Sequence, residues 1–176
     1  LITTPHVMAD FYRNTSSIIR KGEEEVLKAI DENAIDIKFQ ASAEYYLDEN
    51  FIDLLKAKDL LPFGDNYILV ETSFMNEPDN LEHTFFDMQL AGYKPIFAHP
   101  ERYLYFYDDF DKYRKLHDKG IDFQININSI LGYYSPQAKG IAEKLIDENM
   151  VDFVGTDTHK PRHIDILRKT LYTHGV

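Results

Sequence analysis

No cysteine occurs anywhere in the 176 residues. That absence excludes a disulfide framework, a thiolate zinc site and a cysteine nucleophile together. Basic residues are also scarce: 19 Lys and Arg stand against 30 Asp and Glu, for a formal net charge of −11. Proteins that track a nucleic-acid backbone carry a basic patch or stripe, so no nucleic-acid partner is expected. Bound divalent cations would offset part of the negative charge. No apolar run approaches the roughly 20 residues that span a bilayer, and the opening residues lack a charged-then-apolar signal region. No membrane insertion is therefore expected, and the cytoplasm is the expected location. Internal repeats, low-complexity tracts and linkers are missing as well.

What is present suits one well-filled core: 44% of residues are hydrophobic and 14% aromatic. A chain of this length is short for two domains, so residues 1–176 are read as a single domain. Leu1-Ile-Thr-Thr-Pro-His reads as the end of a strand, and the chain stops at Gly175-Val176 soon after a helical pattern begins. Both ends are read as cut, with the first strand and the C-terminal end of the fold expected to be missing.

Apolar spacing predicts helices over residues 14–33 (Ile18, Ile19, Val26, Leu27 and Ile30), 50–60, 81–92, 111–120 and 137–149. Gly92 and Gly120 read as helix stops, and Pro95 as the first residue of a strand, a position proline tolerates. Between the helices lie Tyr67-Ile-Leu-Val-Glu, Pro95-Ile-Phe-Ala-His, Ile121-Asp-Phe-Gln-Ile-Asn-Ile-Asn and Val151-Asp-Phe-Val-Gly, which read as strands. Alternation of this kind implies an α/β fold with a parallel sheet, either an open doubly wound sheet or a barrel. Periodicity does not separate the two.

Chemistry-bearing residues gather where these strands end: His6, Glu44, Glu71, His99, and the Asp157/His159 pair. Ends of successive parallel strands converge on one face. Three imidazoles and three carboxylates without sulfur suit Mn²⁺, Fe or Zn²⁺, and the set is large enough for more than one ion. Each carboxylate taken singly also fits a helix cap or an ion pair; six together favour a site. Arg102 lies three residues past His99 and Arg162 three past His159, placing two guanidinium forks where they would bind phosphate oxygens. His83, His117 and His163 fall in helical or charged stretches and read as solvated, and His174 carries no reading. The aromatics of Tyr103-Leu-Tyr-Phe-Tyr read first as packing under a loop, second as a flank for an aryl substrate. Asn126 and Asn128, at the end of their strand, either face the site or make ordinary strand-end hydrogen bonds.

Thr4-Pro-His6, Ala43-Glu44-Tyr-Tyr, Glu71-Thr-Ser-Phe-Met, Ala98-His-Pro-Glu-Arg-Tyr103 and Thr156-Asp-Thr-His159, in this order, resemble the polymerase and histidinol phosphatase (PHP) superfamily. The nearest branch is its bacterial manganese-dependent protein-tyrosine phosphatases of capsule and exopolysaccharide synthesis. The resemblance implies a distorted (β/α)₇ barrel with up to three metal ions, Mn²⁺ first and Fe or Zn²⁺ as alternatives. It implies Glu44 bridging the first two metals, Glu71 and His99 completing the second site, Asp157 in the first, and His6 with His159 at the third. Arg102 and Arg162 match phosphate-binding arginines. The implied reaction is attack of a metal-bridging hydroxide on phosphotyrosine, and the implied partner is the tyrosine-rich tail of a bacterial tyrosine kinase. The alternatives are a small-molecule phosphatase of the histidinol phosphate kind and a non-catalytic metal-binding domain. The family opens with a His-x-His strand that this sequence lacks, so weak metal binding and slow turnover are expected of the chain by itself.

Overall fold

Strand β1 (Ile2–Thr3) stops two residues short of Pro5, and that proline shapes the first part of the fold. β1 pairs in parallel with β3 (Gln40–Ala41), and β2 (His6–Val7) pairs in parallel with β4 (Glu44–Tyr46). The offset from Ile2↔Gln40 persists at His6↔Glu44, and Ser42 N donates to Thr3 O and Glu44 N to Pro5 O across the gap. The four short strands are thus two longer ones, interrupted where Pro5 has no N–H to offer the ladder.

This computed structural model describes residues 1–173, with side chains described through Arg168; His174 and the Gly175-Val176 end fall outside. The chain divides into two units, Leu1–Thr72 with Pro78–Ile96, and Ser73–Glu77 with the residues from Phe97 onward. In the first, β5 (Tyr67–Glu71) lies beside β4, pairing Glu44 with Leu69 and Tyr46 with Glu71, and β6 (Lys94–Ala98) follows it. β6 begins one residue earlier than Pro95, because Lys94 N donates to Asn66 O at 2.9 Å. In the second unit the order continues from the end of β6 to β7 (Asp122–Asn126) and β8 (Phe153–Gly155), the last two in parallel. Ile68, Leu69, Val70, Ile96 and Phe97 are buried in succession, the pattern of parallel strands covered on both faces. The α/β class read from the alternation is what the chain adopts.

The helices follow their sequence signals closely. α1 (Ser16–Glu32) starts where Thr15 Oγ1 accepts from Ile18 N; α2 (Glu49–Ala57) starts at Asp48, whose Oδ1 accepts from Phe51 N. α3 (Leu81–Leu90) and α4 (Asp111–Asp118) stop before Gly92 and Gly120, whose φ values of 89° and 77° suit glycine. α6 (Pro136–Asp147) opens with proline after the Ser135 cap, and α7 spans Pro161–Thr173. Two expectations differ. Of the apolar positions read in α1 only Ile19 is buried, while Ile18, Val26 and Leu27 are exposed, because α1 lies against β3, too short to cover that face. And β7 ends at Asn126, so Asn128 sits in the short helix α5 (Ile127–Ile130) rather than on a strand.

Candidate metal centre and arginine site

The register of β2, β4 and β5 assembles a cluster in the first unit. His6 and Glu44 are direct partners, and Glu71 lies two residues beyond the partner of Glu44, so the period of two keeps both carboxylates on one face. His6 Nε2 stands 3.4 Å from Glu44 Oε2 and 3.4 Å from Glu71 Oε1. One donor atom from each of the three lies within 4.8 Å of the others. Both carboxylates are buried and His6 is half-buried, with its ring stacked on Tyr12 at 5.0 Å. Ligand atoms bound at about 2.1 Å to one tetrahedral ion stand about 3.4 Å apart, so this imidazole and these two carboxylates fit a divalent cation with little movement.

The second unit gathers the remaining candidates. His99 follows β6 directly, is buried, and its N–H donates to Gln124 O at 2.6 Å. It takes a φ of 37°, and Asp157, two residues past β8, takes 47°. Positive φ at a non-glycine residue costs energy and concentrates at functional sites. Asp157 Oδ2 is the hub of a network: it accepts from Arg102 Nη1 at 3.0 Å, from Asn126 Nδ2 at 2.8 Å and from the Tyr134 hydroxyl at 3.3 Å. Burial and the Asp157 charge push the Tyr134 phenol up to about 12, so it stays protonated and donates. Asp157 Oδ1 lies 3.1 Å from His159 Nδ1. The Arg102 guanidinium carbon lies over the Phe74 ring, 4.4 Å from its centroid, and over the Tyr134 ring, 4.1 Å from its centroid. Glu101, the sequence neighbour of Arg102, is fully buried, its Oε1 accepting from Asn126 N and Ser129 Oγ, and burial pushes its carboxyl above the usual range.

The structure thus brings His6, Glu44 and Glu71 together, and Arg102, Asp157 and His159 together. Arg162 is exposed at the second position of α7. Tyr103 and Phe106 are buried, so those aromatics pack the core instead of flanking a substrate. All three histidines read as solvated have partners, His83 Nε2 lying 3.6 Å from Asp87 Oδ2 one turn along α3. His163 Nδ1 accepts from His159 N at 3.3 Å, and His117 Nε2 lies 3.2 Å from Asp152 Oδ2. Asn126 resolves toward the site, whereas Asn128 Nδ2 donates to Thr156 O at 3.5 Å. Phe74 and Tyr134 drew no functional reading from sequence. The available signals were slight: Phe74 stands three residues past Glu71, and Tyr134 just before the Ser135-Pro136 helix start.

A parallel α/β scaffold with an imidazole and two carboxylates meeting across adjacent strands, and an arginine held by an aspartate, defines a protein with a candidate cation centre and a candidate anion site. The chain belongs to the CpsB/CapC family of capsular polysaccharide synthesis, whose family model matches residues 1–165. It is 30% identical over 160 residues to the tyrosine-protein phosphatase YwqE of Bacillus subtilis, covering 90% of this chain and 63% of that protein. It is 23% identical over 170 residues to the tyrosine-protein phosphatase CpsB of Streptococcus pneumoniae, covering 90% of this chain and 68% of CpsB. A solved structure among those of B. subtilis YwqE and S. pneumoniae CpsB, described as metal-dependent tyrosine phosphatases, superposes with a TM-score of 0.83 at 28% identity, over 96% of this chain and 72% of that one. The chain therefore spans less than two thirds of the length of YwqE.

Proposed function

We propose that this protein is a metal-dependent phosphomonoester hydrolase of the PHP type. Its proposed substrate is phosphotyrosine on the tyrosine-rich tail of a bacterial tyrosine kinase that regulates capsule or exopolysaccharide synthesis, and its proposed location is the cytoplasm. The observation that carries the reading is His6 Nε2 standing 3.4 Å from a carboxylate oxygen of both Glu44 and Glu71. The names of the relatives and the family support the substrate class. No helix among the described residues is long and apolar enough to cross a membrane.

In this reading His6, Glu44, Glu71, His99, Asp157 and His159 hold up to three divalent cations, Mn²⁺ first. Bound cations of this kind supply Lewis-acid polarisation of phosphoryl oxygens and acidify water. Arg102 and Arg162 bind the phosphate oxygens and offset charge as it grows in the transition state. Asn126 and Tyr134 hold the Asp157 carboxylate in one orientation through their hydrogen bonds to Oδ2. The absence of cysteine leaves no thiol to form a phosphocysteine.

The test is phosphate release from a phosphotyrosine peptide by the full-length protein with Mn²⁺, then with chelator, beside histidinol phosphate as a second substrate. Chelator-sensitive release from the peptide is expected. Release from histidinol phosphate alone, or silence with several metals, overturns the reading.

A further inference from the structure

Arg102 presents its charge under unusual constraint. Its guanidinium carbon lies 4.4 Å from the Phe74 ring centroid and 4.1 Å from the Tyr134 ring centroid, so aromatic rings cover it twice. Nη1 is engaged by Asp157 at 3.0 Å, and among the described residues Asp157 is the only acceptor on the fork. Both rings are themselves anchored. Leu104 N donates to Phe74 O at 2.9 Å, and the Phe74 ring packs against His99 at 5.5 Å and Tyr103 at 5.8 Å. Tyr134 immediately precedes the Ser135 cap of α6, and its hydroxyl bonds to the same Asp157 oxygen as Arg102.

An arginine on a flexible stem loses rotamer freedom when it grips an anion, and that loss weakens binding unless the side chain is already ordered. A guanidinium between aromatic faces is attracted to their negative quadrupoles and confined to the plane between them. Stacked approach is closed, and the N–H edge left by Asp157 is what an anion meets. We propose that Phe74 and Tyr134 are positioning residues, an aromatic clamp that holds the Arg102 guanidinium edge-on for the phosphate of the substrate. The clamp rests on the reading of Arg102 as a phosphate ligand. Neither residue touches the reacting atoms; their rings act through Arg102, and the Tyr134 hydroxyl also bonds to Asp157 Oδ2.

The experiment uses the full-length protein with Mn²⁺ and measures kcat and KM for a phosphotyrosine peptide and the inhibition constant of inorganic phosphate. Phe74→Leu and Tyr134→Leu are each expected to raise KM and the phosphate inhibition constant by on the order of tenfold, the scale of a desolvated cation–π contact, with kcat little changed. Phe74→Trp and Tyr134→Phe, which keep a ring, are each expected to bind phosphate more tightly than the corresponding leucine variant, with Tyr134→Phe falling short of wild type by the loss of its hydroxyl bond to Asp157 Oδ2. In an Arg102→Ala background the two leucine substitutions are expected to add nothing, an outcome that a general folding defect would not produce. If Arg102→Ala leaves both constants unchanged, the phosphate role of Arg102 fails. If Arg102→Ala weakens binding while both leucine variants match wild type, or still add their loss in its background, the clamp itself is overturned. If Tyr134→Phe is as impaired as Tyr134→Leu, the hydroxyl rather than the ring orders the arginine, and the clamp is overturned at that position.

Discussion

Asp157 combines a backbone conformation few residues accept with a carboxylate that three donors share. Its φ is 47°, and Arg102, Asn126 and Tyr134 all reach its Oδ2. Asparagine and aspartate tolerate the left-handed region best after glycine, because their short polar side chains bond locally. Asp157→Asn is therefore expected to unfold in urea near the wild-type midpoint, with an amide oxygen still available to the network. Asp157→Ala is expected to lose about 1–2 kcal/mol from backbone strain, and more from the stranded donors. Equal midpoints for the two variants would show that neither strain nor network matters at this residue. At this scale the His6, Glu44 and Glu71 cluster was legible in sequence, because histidines and carboxylates recur at strand ends. The surroundings of Arg102 were not. Phe74 and Tyr134 lie 28 and 32 residues from it in the numbering, and no periodicity links a loop phenylalanine to a tyrosine ahead of a helix. Glu101 was visible only as part of a motif, and its burial depends on the packing of β7 and α5 around it.

Elements position the site through their ends. Asp48 caps α2 with Oδ1 and, with Oδ2, accepts from Ala9 N at 3.0 Å, tying the loop after His6 to the start of the helix. Asp48→Ala is expected to cost about 1 kcal/mol for the cap alone, with a further loss from the Ala9 contact, read by chemical denaturation. Asp48→Asn should recover most of it, since asparagine caps as well as aspartate. α4 and α6 are joined differently: Arg114, also paired with Asp111, binds Glu148, the residue that closes α6. Arg114 holds the Glu148 carboxyl below its ordinary 4.5. A carboxylate with a lowered folded value stabilises fully above its unfolded value and loses that stability as pH falls through the folded one. Arg114→Ala should consequently fall below wild type in thermal stability at neutral pH and converge with it in acid below 4.5. A gap that persists unchanged into acid would assign the effect to lost packing of the arginine stem. Helix limits were readable because caps and glycine stops are local chemistry. The division of the first strands at Pro5 was harder, since it shows only once their pairing register is known.

A net charge of −11 leaves two ways for a divalent cation to stabilise the molecule, general screening or occupation of a site. They separate by position. Screening acts on every carboxylate alike, whereas a ligand that binds only the folded state stabilises it by about 2.7 kcal/mol at a concentration one hundred times its dissociation constant. For a chain of this size about 1 kcal/mol shifts the midpoint by roughly 2–4 °C, so saturating Mn²⁺ should raise it by roughly 5–10 °C. Glu44→Gln and Glu71→Gln each remove a negative charge, and so does Glu25→Gln on the exposed surface of α1. All three reduce repulsion equally in the screening account. Only the first two remove a donor from the His6 cluster, so only they should lose the Mn²⁺ shift, while Glu25→Gln keeps it and sodium chloride of equal ionic strength fails to reproduce it. An equal shift in all three variants would attribute the stabilisation to screening. Because thermal unfolding reads binding directly, the experiment requires no turnover and holds even if the cluster binds metal without catalysing anything.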